Sequence, residues 1–184
     1  MAGAVLGRDA ISRMIGGPSR LIENYVCLET QLQPNGFDLS LREVSRLTTP
    51  GQIGADNSDR LLPNTEPLEF DGDGWAILPP GPHLITFNEI VNLPLGFMAL
   101  GYPRSSLLRS GVAIHTAVWD TGYSGRSQSL LVVYHPLGYR VQRNARLLQM
   151  VFHYLDAVPS EGYQGRFQGK DDSPRPADGT QGQS

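Results

Sequence analysis

Apolar and polar positions alternate over short spans along most of this chain, with turn formers between the spans, and that rhythm predicts strands more often than helices. The clearest instance is LQPNGFDLSL, Leu32–Leu41. Gln33-Pro34-Asn35-Gly36 is a turn signal, after which Phe37, Leu39 and Leu41 alternate with Asp38 and Ser40 as in a half-buried strand. The pattern puts Asp38 on the solvent face. Trp75, Ile77 and Leu78 follow Asp71-Gly72-Asp73-Gly74, which lacks the further oxygen ligands and closing Glu of a calcium loop and reads as a turn before a strand. His83–Val91 and Gly96–Gly101 read as strands. So do Val112–Thr116 and Val118–Trp119, which the pattern pairs with each other. Ser129–Tyr134 is a continuous apolar run suited to a buried strand, His135-Pro136-Leu137-Gly138 turns the chain, and Tyr139–Val141 returns it. Asn144–Phe152 begins polar and ends apolar, as a final core strand would.

Helical spacing is rarer. Ile11, Met14 and Ile15 share one face of a helix over Asp9–Ile15, with Asp9 as N-cap and Gly16-Gly17 as the stop. Pro103-Arg104-Ser105-Ser106 opens a second short helical turn with serine as its cap. Leu21–Leu28 is extended or irregular, and Thr48–Asn64, rich in turn formers, is a surface excursion. Beyond Pro159 the chain becomes glycine-rich and polar. This divides it into one β domain over residues 1–158 and a flexible tail over 159–184, whose end, Asp171–Ser184, reads as disordered. Arg166 and Phe167 stand out in that tail, because a guanidinium for phosphate and a ring for a base plane suit a mobile lid over a nucleotide.

Composition narrows the class. A chain of 184 residues is one domain with a real core, and 21 glycines and 14 prolines against 40% apolar residues favour many short strands over a helical bundle. A net charge of −3 without basic blocks argues against general nucleic-acid binding. Cys27, the single cysteine, excludes a disulfide framework within the chain and a multi-cysteine zinc site. No apolar run approaches about 20 residues, and the start, MAGAVLGRDAISRM, lacks a basic segment followed by an apolar one. The expectation is a cytoplasmic protein with no membrane association.

The chemistry concentrates between Tyr102 and Ser127. An arginine and two hydroxyls at a helix start, Arg104-Ser105-Ser106, suit an anion, because the first backbone N–H groups there lack partners. Asp120, on the turn Asp120-Thr121-Gly122-Tyr123-Ser124-Gly125, can orient and deprotonate a water. A phosphate site plus a water-activating acid points to hydrolysis of a phosphate ester or anhydride. Each piece alone is also an ordinary helix start or hairpin turn.

Taken together, LQPNGFDLSL, PRSSLLRSGV, TAVWDTGYSG, RLLQMVF and GYQGRFQG occur in an order and spacing that resembles the deoxyuridine triphosphatase (dUTPase) and dCTP deaminase superfamily, most of all its archaeal-type branch. The resemblance spans nearly the whole chain. It implies a mainly β, distorted antiparallel jelly-roll or barrel with short helices, called a β-clip, and a homotrimer whose active sites are shared between chains. It implies that Asp120 holds the water that attacks the phosphate chain of dUTP. Thr116, Ala117, Val118 and Trp119 would read the pyrimidine through backbone groups, and Tyr123 would pack against the deoxyribose. Arg104, Ser105, Ser106 and Gln149 would contact phosphates, while Arg166 and Phe167 would close over phosphate and base. Mg2+ would arrive bound to the triphosphate, so no protein metal ligand is nominated.

That superfamily hosts two reactions. Its deaminases, and its bifunctional members, use a glutamate in the strand after the Asp turn to move protons at the cytosine amino group. The matching position here is Leu130, and no Glu or Asp occurs from Thr121 through Val141. The deaminase tail also places a glutamine near the base where this chain has Lys170. The zinc-dependent deaminase route needs a His/Cys cluster with a paired Cys motif that this chain lacks. The implied reaction is therefore dUTP to dUMP and pyrophosphate. The alternatives are a dCTP deaminase, a bifunctional enzyme, or a non-catalytic trimeric β-clip module. Two departures remain. GYQGRFQG replaces the glycine-rich final motif of the usual dUTPase, and Arg109 matches an arginine near the base in deaminases, though it could equally bridge subunits. His115, alone before the base-reading segment, reads as a packing or hydrogen-bonding residue.

Overall fold

The computed structural model describes residues 5–169, so Lys170 and Asp171–Ser184 lie outside the described residues. Among these, helix α1 spans Arg8–Gly16, with Ile11 and Ile15 buried. Its cap is Gly7 rather than Asp9, which sits in the first turn. The entry is set by backbone bonds instead of a side chain: the Gly7 carbonyl accepts from Ala10 and Ile11, and Arg8 N donates to Pro34 O at 2.9 Å. Then come β1 (Ile22–Glu23), α2 (Leu28–Gln31), β2 (Leu32–Gln33), β3 (Gly36–Leu47), β4 (Thr65–Pro67) and β5 (Trp75–Leu78). The chain continues through β6 (Gly81–Asn92), β7 (Phe97–Pro103), α3 (Ser105–Arg109), β8 (Val112–His115), β9 (Ser124–Val133), β10 (Tyr139–Gln142) and β11 (Arg146–Tyr154).

The main sheet runs β7-β11-β3-β6-β9-β8, with β1 added to β6 and both β2 and β4 to β3, while β5 and β10 form a separate ribbon. Every pairing is antiparallel. The sheet curls until its β7 edge meets the segment after β8, where Ala99 and Trp119 bridge. The result is a mainly β, nearly closed barrel. Phe37, Phe87, Ile85, Leu131, Leu148 and Phe152 fill it with fully buried side chains.

Strand β3 departs from its half-buried pattern. Phe37, Leu39 and Leu41 are buried as the alternation predicts, but Asp38 (2% exposed) and Ser40 (0%) are buried too. Gln31 of α2, Asn88 and Glu89 of β6, and the guanidiniums of Arg104 and Arg146 cover the face that alternation assigns to water. A polar group so buried must be hydrogen-bonded. Ser40 meets Glu89 of β6: its N and Oγ donate to the carboxylate at 2.8 and 2.6 Å. Gln31 Nε2 adds a further bond to Glu89 at 2.6 Å and also donates to the Asp38 carbonyl. Asn88 Nδ2 closes the group on Ser40 Oγ at 2.9 Å and Asn144 Oδ1 at 2.9 Å. The register of β6 against β9 shifts between Thr86 and Ile90, which is the break that contains Asn88 and Glu89.

Burial pushes the Glu89 carboxyl up from its ordinary value, against the opposing pull of the Ser40 and Gln31 hydrogen bonds. The folded chain then holds this proton at pH values where the unfolded chain has released it. Stability contributed by Glu89 is therefore greatest below the ordinary value of 4.5 and declines as pH rises through the folded value. Glu89→Gln, uncharged throughout, is expected to flatten that part of the pH dependence in denaturant melts above pH 4.5. A variant with the parent's slope would remove Glu89 as its source.

Candidate active site

Strand β8 pairs with β9, His115 lying opposite Leu130, and not with Val118–Trp119 as the alternation predicts. Past His115 the chain leaves β9. The backbone groups of Thr116, Ala117 and Val118 make no hydrogen bond among the described residues. Trp119 crosses instead to β7, where its N and O bond to Ala99 O and N at 3.1 and 3.0 Å. The physical reason is the indole. Its six-membered ring lies over Gly101, where a Cβ would come within 3.0 Å of it, and its Nε1 donates to Ser127 Oγ at 2.6 Å. Burying the ring and satisfying its donor draws this strand toward β7.

The chain then turns through Asp120–Tyr123, closed by Tyr123 N donating to Asp120 O at 3.1 Å. Gly122 carries the positive φ (+76°) that this turn requires. Thr121 Oγ1 accepts from Gly96 N at 3.0 Å and anchors one flank. Tyr123 is buried, its hydroxyl 3.4 Å from Ser127 Oγ, and burial raises its phenol above the ordinary value. Asp120 is exposed, and its carboxylate makes no hydrogen bond or ion pair among the described residues. A carboxylate so placed is free to engage water.

Asp120, Ala117, Val118, Trp119 and Tyr123 line one side of a cavity of about 570 Å³. Thr86 and Gln128 contribute polar groups from neighbouring strands, with Gln128 Nε2 donating to Thr86 Oγ1 at 3.1 Å. Leu62 and Pro63, on the return of the Thr48–Asn64 excursion, form part of another wall. Sequence reasoning missed these four: Thr86 reads as an ordinary strand residue, Gln128 only precedes the apolar run Ser129–Tyr134, and nothing in an isolated loop signals what it will cover. Phe167 of the tail also reaches this cavity.

The expected phosphate group collects elsewhere. Asp38, Gln149 and Tyr102 stand in one cross-strand row over β3, β11 and β7. Arg104 caps the five-residue α3, and no serine side chain caps it. Arg104 Nε and Arg146 Nη1 lie 3.2 and 3.3 Å from Asp38 Oδ2. Burial raises the Asp38 carboxyl, and the two guanidiniums oppose that shift. Gly36 backs onto Gln149, where a Cβ would stand 3.0 Å from Nε2. Ser105 and Ser106 are exposed with unpaired hydroxyls among the described residues, and Arg109 is exposed at the end of α3. None of Arg104, Ser105, Ser106, Arg109 or Gln149 lines the cavity with Asp120. Arg146 and Asp38 are neighbours of Arg104 that sequence spacing did not reveal. His115 is exposed rather than packed. Among the described residues, no cluster of three or more His, Cys, Asp or Glu side chains could hold a metal ion, and no helix is long and apolar enough to cross a membrane.

The tail lies against the Asp120 turn. Tyr163 N donates to Thr121 O at 2.8 Å, and its ring meets Tyr123 edge-on with centroids 5.8 Å apart. Arg166 is exposed and makes no ion pair among the described residues.

The sequence profile of the dCTP deaminase-like family matches residues 5–155. This chain belongs to that family. It is 46% identical over 165 residues to a Methanosarcina mazei protein named "Probable deoxyuridine 5'-triphosphate nucleotidohydrolase", covering 90% of this chain and 96% of that protein. An Archaeoglobus fulgidus protein of the same name is 46% identical over 167 residues, covering 91% and 97%. Among solved structures, the 2'-deoxycytidine 5'-triphosphate deaminase of Agrobacterium tumefaciens superposes with a TM-score of 0.64 at 21% identity. That match covers 82% of this chain and 48% of the deaminase, so it speaks for the shared fold alone.

Asp38→Asn keeps the side chain's shape and removes the charge that both guanidiniums face. The arginine side chains are about one-third exposed (34% and 32%) and can turn to water. Losing the charge also removes its burial penalty, so the expected change in equilibrium denaturation is within about 1 kcal/mol, and a clearly larger loss would mean the two pairs outweigh the cost of burying the carboxylate.

Proposed function

We propose that this protein hydrolyses dUTP to dUMP and pyrophosphate, with Asp120 holding the attacking water. The observation that carries the reading is the exposed, unpaired Asp120 carboxylate at a cavity whose adjoining segment, Thr116–Val118, leaves its backbone donors and acceptors unused. Those groups can pair with the edge of a pyrimidine, and Trp119 holds the segment in place by its bonds to Ala99. Tyr123, buried next to Asp120, offers its ring to the deoxyribose and leaves little room for a 2′-hydroxyl. Asp120 accepts a proton from water as that water attacks phosphorus, a role worth about 10²–10⁴ in rate.

The phosphates are taken by Arg104, Ser105, Ser106 and Gln149, with Arg109 beside them, and Asp38 and Arg146 fix Arg104. Because this group lies apart from the cavity in one chain, we place the complete site between neighbouring subunits of a homotrimer. Arg166 and Phe167 close from the tail, Phe167 over the base and Arg166 over the phosphates. The lone carboxylate of the turn fits a Mg2+ ion carried mainly by the triphosphate, which supplies charge neutralisation to the leaving pyrophosphate. Cytosine deamination is disfavoured, because Leu130 supplies no proton carrier.

Purified protein is to be incubated with dUTP and, separately, dCTP in the presence of Mg2+, alongside Asp120→Asn, with products resolved by chromatography. The expected result is dUMP from dUTP alone, with kcat at least about a hundredfold lower in Asp120→Asn. Conversion of dCTP to dUTP or dUMP would require another proton carrier in place of Leu130. No reaction with either nucleotide would favour a non-catalytic binding module.

A further inference from the structure

The front half of β9 has an open edge. β8 pairs with β9 only at Leu130–Val133, and on the other side β6 pairs with the strand down to Asn92 opposite Ser124. Leu93 N bonds to Tyr123 O, so in the alternation of an antiparallel ladder the next pair, Asn92 and Ser124, points its backbone groups outward. Such an exposed edge recruits another segment. Here the tail occupies it. Gln168 Oε1 accepts from Ser124 N at 3.1 Å, and Gly169 N donates to Ser124 O at 2.8 Å.

The same carboxamide reaches the other side of the turn, Gln168 Nε2 donating to Gly122 O at 2.9 Å. One side chain thus spans Gly122 and Ser124, the residues on either side of Tyr123, which lies three positions beyond Asp120. The approach is close enough to need two glycines. A Cβ on Gly162 would stand 2.9 Å from Gly122 Cα, and one on Gly122 would stand 2.7 Å from Gly162 Cα. On its opposite flank the turn is already held by Thr121 Oγ1 and Gly96 N. The tail supplies the second hold.

We propose that Gln168 is a positioning residue for hydrolysis: its carboxamide clamps Gly122 and Ser124 and thereby fixes the turn that presents Asp120. This rests on the reading of Asp120 as the residue that holds the attacking water. The tail then has two separate jobs. Phe167 and Arg166 face the substrate, whereas Gln168 acts on the protein and sets the aim of the carboxylate. A residue of this second kind changes the rate of the chemical step more than it changes substrate binding.

Gln168→Ala and Gln168→Met are tested in the full chain, Met keeping most of the volume without the carboxamide. Steady-state kinetics with dUTP are expected to show kcat reduced about tenfold, the size of one lost hydrogen bond at the transition state, with KM changed less than about twofold. Hydrogen exchange on the substrate-free protein gives a second readout, the Ser124 amide exchanging about tenfold faster once its acceptor is gone. Gly162→Ala, which blocks the close approach without touching Gln168, is expected to reproduce both effects. Should Asp120→Asn abolish turnover while the Gln168 variants keep the parent's kcat and exchange rates, the clamp is wrong and the Asp120 reading stands. A rise in KM alone would make Gln168 a substrate contact and overturn the positioning role. If Asp120→Asn retains full activity, the underlying assignment fails, whatever the Gln168 variants do.

Discussion

The two hydrogen bonds between Ala99 and Trp119 close the barrel and fix the segment that carries Asp120. An open sheet ending at β8 would leave residues 116–123 a loop with no fixed place. Pinned to β7, the loop has one face toward the core, where the Trp119 and Tyr123 rings are buried, and one face toward the cavity, where Asp120 stands. Gly101 makes this possible, because only a residue without Cβ lets the indole lie so close to β7. The Trp119 donor then needs a buried acceptor, which Ser127 provides from β9. A packing requirement at one tryptophan thus determines the position of the exposed Asp120 carboxylate next to it in sequence.

The local elements were largely legible. The turn at Pro34-Asn35, the strand at Trp75–Leu78, the long strands around His83–Val91 and Asn144–Phe152 and the helix near Asp9–Ile15 all follow from period and turn residues, within a residue or a few of their ends. Partners across the sheet were not. Alternation in LQPNGFDLSL reports which residues share a face, but not that side chains from distant elements will cover the second face and bury Asp38. Its partner Arg146 lies 108 residues away, beyond any local pattern. The pairing of Val118–Trp119 failed for the same reason: adjacent strand-like segments suggest a hairpin, and only the indole's need for a core site sends the second one across to β7.

The candidate site shows the same division. Asp120, Tyr123 and the Arg104 segment carry visible chemistry, each ordinary alone but telling in combination with the other patches of the chain. Residues that aim or enclose them carry no such sign. Arg146 and Asp38 hold Arg104 from strands far away in sequence, and Leu62 and Pro63 wall the cavity from a loop that reads as mere excursion. Such residues become identifiable only when the fold brings together what the chain separates.

The tail gains most from this view. As a sequence, GYQGRFQG offers an arginine and an aromatic ring to a substrate and little else. Folded, its backbone and the Gln168 side chain bind the protein first, at a sheet edge the barrel leaves unpaired. Ordering a free segment costs about 1–2 kcal/mol per residue, and a lid that began unattached would draw all of that from substrate binding. A tail already held at Tyr163, Gln168 and Gly169 has met part of that cost before the nucleotide arrives. Less of the triphosphate's binding energy is then spent on ordering the protein, and more remains for interactions that strengthen only as the phosphorus–oxygen bond breaks.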